Sequence, residues 1–148
     1  MLKIRERPEP QPGPGEVAIR VRAAGLNFAD ILARQGSYPD APRPPCAVGY
    51  EVAGTVEVAG DGVYPGLLGT PVLAMTRFGG QAEVVTVLVD QIFAIPAALS
   101  FEEAAALPVN YLTAYALLVV MGSLGRGEAV LSHNAGGGEI PPKARGLE

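Results

Sequence analysis

Short stretches of alternating apolar and polar side chains, each cut off by glycine or proline, constrain this chain more than any other feature. Val17, Ile19 and Val21 alternate with Ala18, Arg20 and Arg22. That period of two puts one face of a strand in a core and the other in water. Glu51 to Ala59 repeats the pattern, with Val52, Val56 and Val58 on one face and Glu51, Thr55 and Glu57 on the other. Gly54 inside that run marks a bend or a close approach of backbone. PVLAM (71–75), AEVVTVL (82–88) and QIFAIP (91–96) read as further short strands, and the 19 Gly and 14 Pro supply the turns between them. This spacing predicts an antiparallel barrel or sandwich rather than a parallel sheet.

Two regions depart from the alternation. After Asn27, the residues Phe28, Ile31, Leu32 and Gln35 recur at helical spacing and Gly36 supplies a stop. Further on, Ser100 and Glu103 form a capping box ahead of EEAAALP (102–108). Pro108 interrupts, and a more apolar helix is expected from about Val109 to Met121, closed by Gly122. Its run Tyr111 to Met121 is too short to span a bilayer and reads as a buried helix. Then comes a strand, EAVLSHN (128–134), followed by Gly136, Gly137 and Gly138. A glycine loop straight after an apolar strand is how a dinucleotide-binding βαβ unit begins, because its backbone can approach a pyrophosphate closely. No such helix is expected here: EIPPKARGLE (139–148) carries Pro141 and Pro142, which forbid a continuous helix. The expected organisation is a β-rich domain over residues 1–122, the start of a nucleotide-binding domain over 123–138, and an unrelated tail over 139–148.

Composition narrows the function. Apolar residues make up 49% and charged residues 18%, as in a globular chain. The net charge of −4 supplies no basic field for a nucleic-acid partner. Cys46 is the single cysteine, which excludes an internal disulfide and a multi-cysteine zinc site and points to a reducing, cytoplasmic compartment. Lys3, Arg5, Glu6 and Arg7 interrupt the N-terminus before the apolar core of a signal peptide can form.

Four ordered blocks carry a resemblance: GLNFADILARQGSYP (25–39), VGYEVAGTVEVAG (48–60), LSFEEAAALPVNYLTAYALL (99–118) and GRGEAVLSHNAGGG (125–138). Together they resemble the medium-chain dehydrogenase/reductase superfamily, and within it the zinc-independent quinone oxidoreductase branch. The resemblance implies an α+β domain, mainly β: a GroES-like, partly open β-barrel with flanking helices, plus only the first strand of a Rossmann domain. It also implies NADPH as cofactor, a small quinone or α,β-unsaturated carbonyl as substrate, and a homodimeric parent. Members of the superfamily usually begin with a further strand and continue through a whole nucleotide domain, so this chain reads as a truncated piece. Its open edges then lead to an expectation of self-association.

Zinc divides the superfamily. Zinc-dependent members use a Cys at the start of the first helix and a His in a Gly-His-Glu triplet. The corresponding places here read Asn27 and Tyr50, in Gly49-Tyr50-Glu51, and neither an amide nor a phenol is a competent zinc ligand at neutral pH. No metal site is expected, and Cys46 reads as a buried small apolar residue. By resemblance, Asn27 and Tyr38 line the nicotinamide pocket, where donors would stabilise the oxygen that gains charge during reduction. Asp30 matches a further polar position. Leu32 stands where the branch often has a tyrosine, and Tyr50 is expected to pack beside the cleft.

Each of these residues has a plainer reading. Asn27 is a good helix N-cap, Tyr38 an ordinary loop aromatic, Asp30 a favourable charge in a first helical turn, and Arg34 part of a solvated helix face. Asn110 and Thr113 share one helix face. The resemblance sets Thr113 against the nicotinamide amide, while the plain reading is a hydroxyl bonded to its own helix. Tyr111 and Tyr115 read as core. His133, the single histidine, has no triad partner beside it in the sequence. Gly136, Gly137 and Gly138 would meet the pyrophosphate in an intact enzyme. The chain is therefore expected to be the substrate domain of an NADPH-dependent oxidoreductase, inactive by itself. An enoyl reductase of the polyketide-synthase type and a non-catalytic binding domain are the alternatives.

Overall fold

A computed structural model describes residues 2–131. Five strands form one antiparallel sheet: β1 Glu16–Ala24, β2 Glu51–Ala59, β3 Pro71–Met75, β4 Val84–Leu88 and β5 Ile92–Ala94. Their order is β4-β1-β2-β3-β5, and the edge strands do not pair with each other, so the barrel stays open. The alternation works as expected on one face. Val17 and Ile19 of β1, Val52 and Val56 of β2, Val72 and Ala74 of β3, and Val85 and Val87 of β4 form a single buried cluster. Irregularities in the β1–β2 ladder, between Ala18 and Ile19 and between Val21 and Ala23, interrupt the pairing of the two central strands.

Gly54 meets the second of its two expected roles. A Cβ there would run into the Arg20 carbonyl oxygen and come within 2.8 Å of Ile19 Cγ2. The β1 backbone therefore sits where any side chain at position 54 would have to go.

Three helices flank the sheet. The first, α1, spans Phe28–Gln35 and ends at Gly36. It buries Asp30 and Ala33 and leaves Phe28 largely exposed, so its inward face is set by the Asp30 carboxylate rather than by its largest apolar residue. The second, α2, spans Phe101–Ala105, and its Ser100 side chain accepts a hydrogen bond from the Glu103 backbone N–H, as the capping box predicts. Ala104 and Ala105 pack on Ala53, on the face of β2 opposite the main cluster. Small side chains on both partners let helix and strand approach closely.

The third, α3, spans Pro108–Tyr115 and continues as a wider π-helical stretch over Ala116–Met121. Pro108 marks the break from α2, as expected, and itself opens this helix, since its missing N–H would be unsatisfied in a first turn anyway. The expectation of a buried helix is not met: Tyr111, Tyr115, Leu117, Val120 and Met121 are all at least half exposed. The two tyrosines are therefore surface residues, not core. Glu128 to Leu131 pair with no strand, although a β-strand was expected there. A parallel strand needs neighbours to hydrogen-bond with, and the described residues offer none at that end. His133 and Gly136 to Gly138 lie outside the described residues.

Gly54→Ala is expected to destabilise the domain by about 2–3 kcal/mol, because β1 and β2 must separate to admit the methyl group. Urea denaturation checks this; a midpoint equal to that of the unsubstituted chain would refute the close approach.

Candidate active site

The site is built around a buried carboxylate. Glu51 is 1% exposed, although the alternation puts it on the polar face of β2. The helices explain this: α2 and α3 cover that face at the Glu51–Ala53 end, while Glu57 at the other end stays exposed. Glu51 Oε1 accepts from Asn27 Nδ2 at 2.8 Å, and Oε2 accepts from the Val109 N–H at 2.8 Å. One carboxylate thus joins the start of α1, the start of β2 and the first turn of α3. A negative group also suits the positive end of α3. Gly25 is required beside it, since a Cβ there would approach Glu51 Cδ to 2.6 Å.

Asp30 makes the second tie. Its Oδ2 accepts from the Asn27 N–H at 2.9 Å, and its Oδ1 accepts from the Gly49 N–H at 2.7 Å. The Thr76 hydroxyl donates to the Gly49 carbonyl at 2.8 Å, and the Thr76 N–H donates to the Tyr50 carbonyl at 2.7 Å. The backbone on both sides of the Gly49–Tyr50 peptide is therefore held, which directs the Tyr50 side chain.

Tyr50 lies in the wall of an open cleft of about 500 Å³, together with Tyr38, Phe78, Phe93 and Leu112. Its ring meets Tyr38 edge to face, with centroids 6.0 Å apart, and Phe78 at 5.1 Å. The Tyr50 hydroxyl is buried and has no hydrogen-bond partner among the described residues. Burial first, then the neighbouring Tyr38 and Asp30, push its phenol up to about 12. It remains a neutral donor at physiological pH.

The other expected site residues fall in three places. Tyr38 is half-buried on the cleft. Asn27 and Asp30 belong to the hydrogen-bonded support next to Tyr50 and are not on the cleft wall. Asn27 heads α1 as its N-cap residue, but its side-chain amide bonds to Glu51 rather than to its own helix. Asn110 Nδ2 donates to the Ala106 carbonyl of the preceding turn at 3.0 Å, and Thr113 is half-buried on α3 beyond it. Arg34 is exposed and Cys46 only partly buried. Among the described residues no group of three or more His, Cys, Asp or Glu side chains is placed to hold a metal. Sequence reasoning missed Glu51, Thr76 and Phe78. The Gly-Tyr-Glu triplet was the one available signal, and it pointed to Tyr50 and Glu51 only through its place in a family motif.

A family comparison accounts for this arrangement. The model of the alcohol dehydrogenase GroES-like domain matches residues 13–97. The chain belongs to this family, within the medium-chain dehydrogenase/reductase superfamily. It is 48% identical over 122 residues to the synaptic vesicle membrane protein VAT-1 homolog of Danio rerio, a match covering 82% of this chain and 25% of that protein. The chain thus spans about a quarter of that relative's length. Among solved structures, human synaptic vesicle membrane protein VAT-1 homolog-like protein superposes with a TM-score of 0.84 at 42% identity, over 90% of this chain and 43% of that one. The quinone oxidoreductase from Thermus thermophilus, solved also as its complex with NADPH, gives a TM-score of 0.73 at 41% identity, over 85% and 39% of the two chains. The GroES-like domain is therefore seen in oxidoreductase and vesicle-named relatives alike. Among the described residues no helix is long and apolar enough to cross a membrane.

Two measurements check the site. Glu51→Gln keeps the size of the side chain but sets an amide donor against either Asn27 Nδ2 or the Val109 N–H. It is expected to cost about 2 kcal/mol in urea denaturation, and an unchanged midpoint would show that Glu51 does not tie the elements together. The second concerns alkaline pH. A phenol in the unfolded chain ionises at 10.0, and Tyr50 in the fold at about 12. Unfolding therefore releases a proton between those values, and stability falls as pH rises from 10 towards 12, then levels off. Tyr50→Phe is expected to flatten that fall, followed through the tyrosinate ultraviolet band and denaturation at stepped pH.

Proposed function

We propose that this domain forms the acceptor-binding half of an oxidoreductase that reduces quinones or α,β-unsaturated carbonyls without a metal. The observation carrying this reading is the aromatic wall of Tyr38, Tyr50 and Phe78 around an open cleft. Flat aromatic faces suit a planar conjugated acceptor, which stacks on them with little loss of its own freedom. The positions that carry zinc ligands in zinc-dependent members are Asn27, engaged by Glu51, and Tyr50, packed between rings. That donor set favours polarisation of the substrate by hydrogen bonds over polarisation by a metal ion.

The residues present also fit a nicotinamide cofactor. The cleft combines an aromatic and apolar surface of Tyr38, Tyr50, Phe78, Phe93 and Leu112 with the polar Asp40, Arg77, Asp90 and Gln91, and Leu112 belongs to α3, with Asn110 and Thr113 on the same helix. Thr113 and Asn110 would face the cofactor, and Gly136, Gly137 and Gly138 would meet its pyrophosphate. NADPH, the choice implied by the resemblance, supplies a hydride when bound. The chain's own residues bind and orient the acceptor: Tyr38 stacks on it and offers a phenol O–H towards the oxygen that gains charge, and Asn27 and Asp30 keep the Gly49–Tyr50 backbone in register. A rigid donor in a partly dry cleft stabilises such a charge more than mobile water does.

The 148-residue polypeptide is expected to give no turnover, because the described residues include no nucleotide fold. Spectrophotometry of NADPH oxidation with a simple quinone tests both halves of this reading. The 148-residue chain should match the blank, whereas a polypeptide continuing residues 1–138 into its nucleotide domain should oxidise NADPH. Robust oxidation by the short chain would overturn its inactivity. A long polypeptide inert towards quinones and enones alike would overturn the oxidoreductase reading.

A further inference from the structure

Where a sheet ends, the outer backbone of its last strand has no ladder partner. The two end strands here are unequal. β5 has three residues with Pro96 close behind, too short a template for another chain. β4, Val84–Leu88, reads VVTVL and carries no charge, proline or bulge to blunt it. Its pairing with β1 fixes which groups face outward. The Val89 N–H donates to the Gly15 carbonyl and the Val21 N–H to the Glu83 carbonyl, each at 2.9 Å, at the two ends of an unbroken register. Hydrogen-bonded residues alternate along an antiparallel ladder. Val85 and Val87 therefore turn their backbone groups to β1, and Val84, Thr86 and Leu88 turn theirs away. Leu88 agrees with this, since its N–H donates to Gln91 Oε1 at 3.3 Å rather than to β1. Thr86 is half-buried and Leu88 46% exposed, so the outer edge reaches solvent there, with Val84 at 9% its tighter end. Among the described residues no strand pairs with this side of β4.

We propose that this edge is the interface between two copies of the chain, which pair antiparallel through Val84–Leu88 about a two-fold axis at Thr86. Of the possible registers, this one engages the whole strand. Thr86 meets its counterpart in the other copy, and Val84 meets Leu88. All three outward-facing residues then exchange backbone hydrogen bonds, Leu88 once Gln91 has swung aside. The side chains suit the same register. Val85 of one copy lies opposite Val87 of the other, and the exposed Leu88 lies opposite Val84, both apolar cross-strand pairs. Glu83 and Asp90 flank the strand, and the register sets them opposite Val89 and Ala82, so like charges do not face each other. A pairing about a two-fold axis uses up the edge and closes at the dimer. Gln91 is then a built-in competitor that weakens the pairing without abolishing it. The interface is independent of the acceptor-binding reading and gives the self-association expected of an open sheet a definite surface.

Sedimentation equilibrium of the 148-residue chain, from micromolar to millimolar concentration, tests this. A reversible monomer–dimer equilibrium is expected, with no larger species. Thr86→Pro removes an outward N–H that the β1–β4 ladder does not use, which an edge strand tolerates, and should leave a folded monomer. Gln91→Ala frees the Leu88 N–H in both copies and should tighten the dimer about 10-fold; an unchanged constant would overturn the competing role of Gln91. A chain monomeric throughout would overturn the interface. So would growth beyond the dimer, or a dimer that survives Thr86→Pro and is lost in Val120→Glu, which would move the contact to the exposed helical face. If Thr86→Pro does not fold, amide hydrogen exchange of the unsubstituted chain decides. The Thr86 amide should exchange more slowly as concentration rises, and exchange independent of concentration would overturn the pairing.

Discussion

Glu51 occupies the point at which strand, loop and helix meet. A carboxylate this deeply buried is costly unless it is hydrogen-bonded. Here its partners come from two separate elements, Asn27 ahead of α1 and Val109 in the first turn of α3. The side chain therefore fixes where both helices begin relative to β2. Everything on the cleft side inherits that placement. The Asn27 backbone is held by Asp30, Asp30 holds Gly49, and Gly49 precedes the tyrosine at the cleft wall. Removing the carboxylate leaves two donors without partners and loosens two elements at once, whereas a surface ion pair such as Arg20 with Glu57 ties down far less.

The cleft depends on this support because the part of its wall around Tyr50 is aromatic, with Asp40, Arg77, Asp90 and Gln91 lining other parts. Tyr38, Tyr50 and Phe78 contribute surface and shape, and their mutual packing sets ring orientation. Shape alone cannot aim a hydroxyl. Aim comes from the hydrogen bonds around Gly49 and Tyr50, which join α1, the strand β2 and the residue following β3. The chemistry of the site is therefore a property of three segments distant in sequence, held together by two buried carboxylates.

The exposed face of α3 and its π-helical continuation has a different origin. Its sequence is apolar enough to be core, yet the sheet and α2 cover little of it. Periodicity reports that a face is apolar and says nothing of what lies opposite. For the same reason the strand expected after Gly127 is not formed over Glu128–Leu131: apolar residues suited to a parallel sheet need neighbouring strands before they become a strand.

Much of the fold was legible in the sequence. Alternation located β1 and β2, turn residues located the shorter strands, and the Ser100–Glu103 capping box located α2, because each of these is a local preference written in neighbouring residues. The open GroES-like barrel followed from motif blocks in order. The site was legible only in part. Tyr38 and Tyr50 could be named from their motifs, but the burial of Glu51 could not, since a period of two assigns it to the polar face and only α2 and α3 reverse that assignment. Asn27 was read as a cap or a pocket residue, and its amide bonds instead to a carboxylate 24 positions away. By itself the sequence determined most of the strand and helix segments, though not the strand expected after Gly127, and the family they belong to. The tertiary structure alone decided which polar groups are buried, which of them are satisfied, and that the Tyr50 hydroxyl is not. Burial and hydrogen bonding between distant segments depend on what packs against each face, and local patterning does not contain that information.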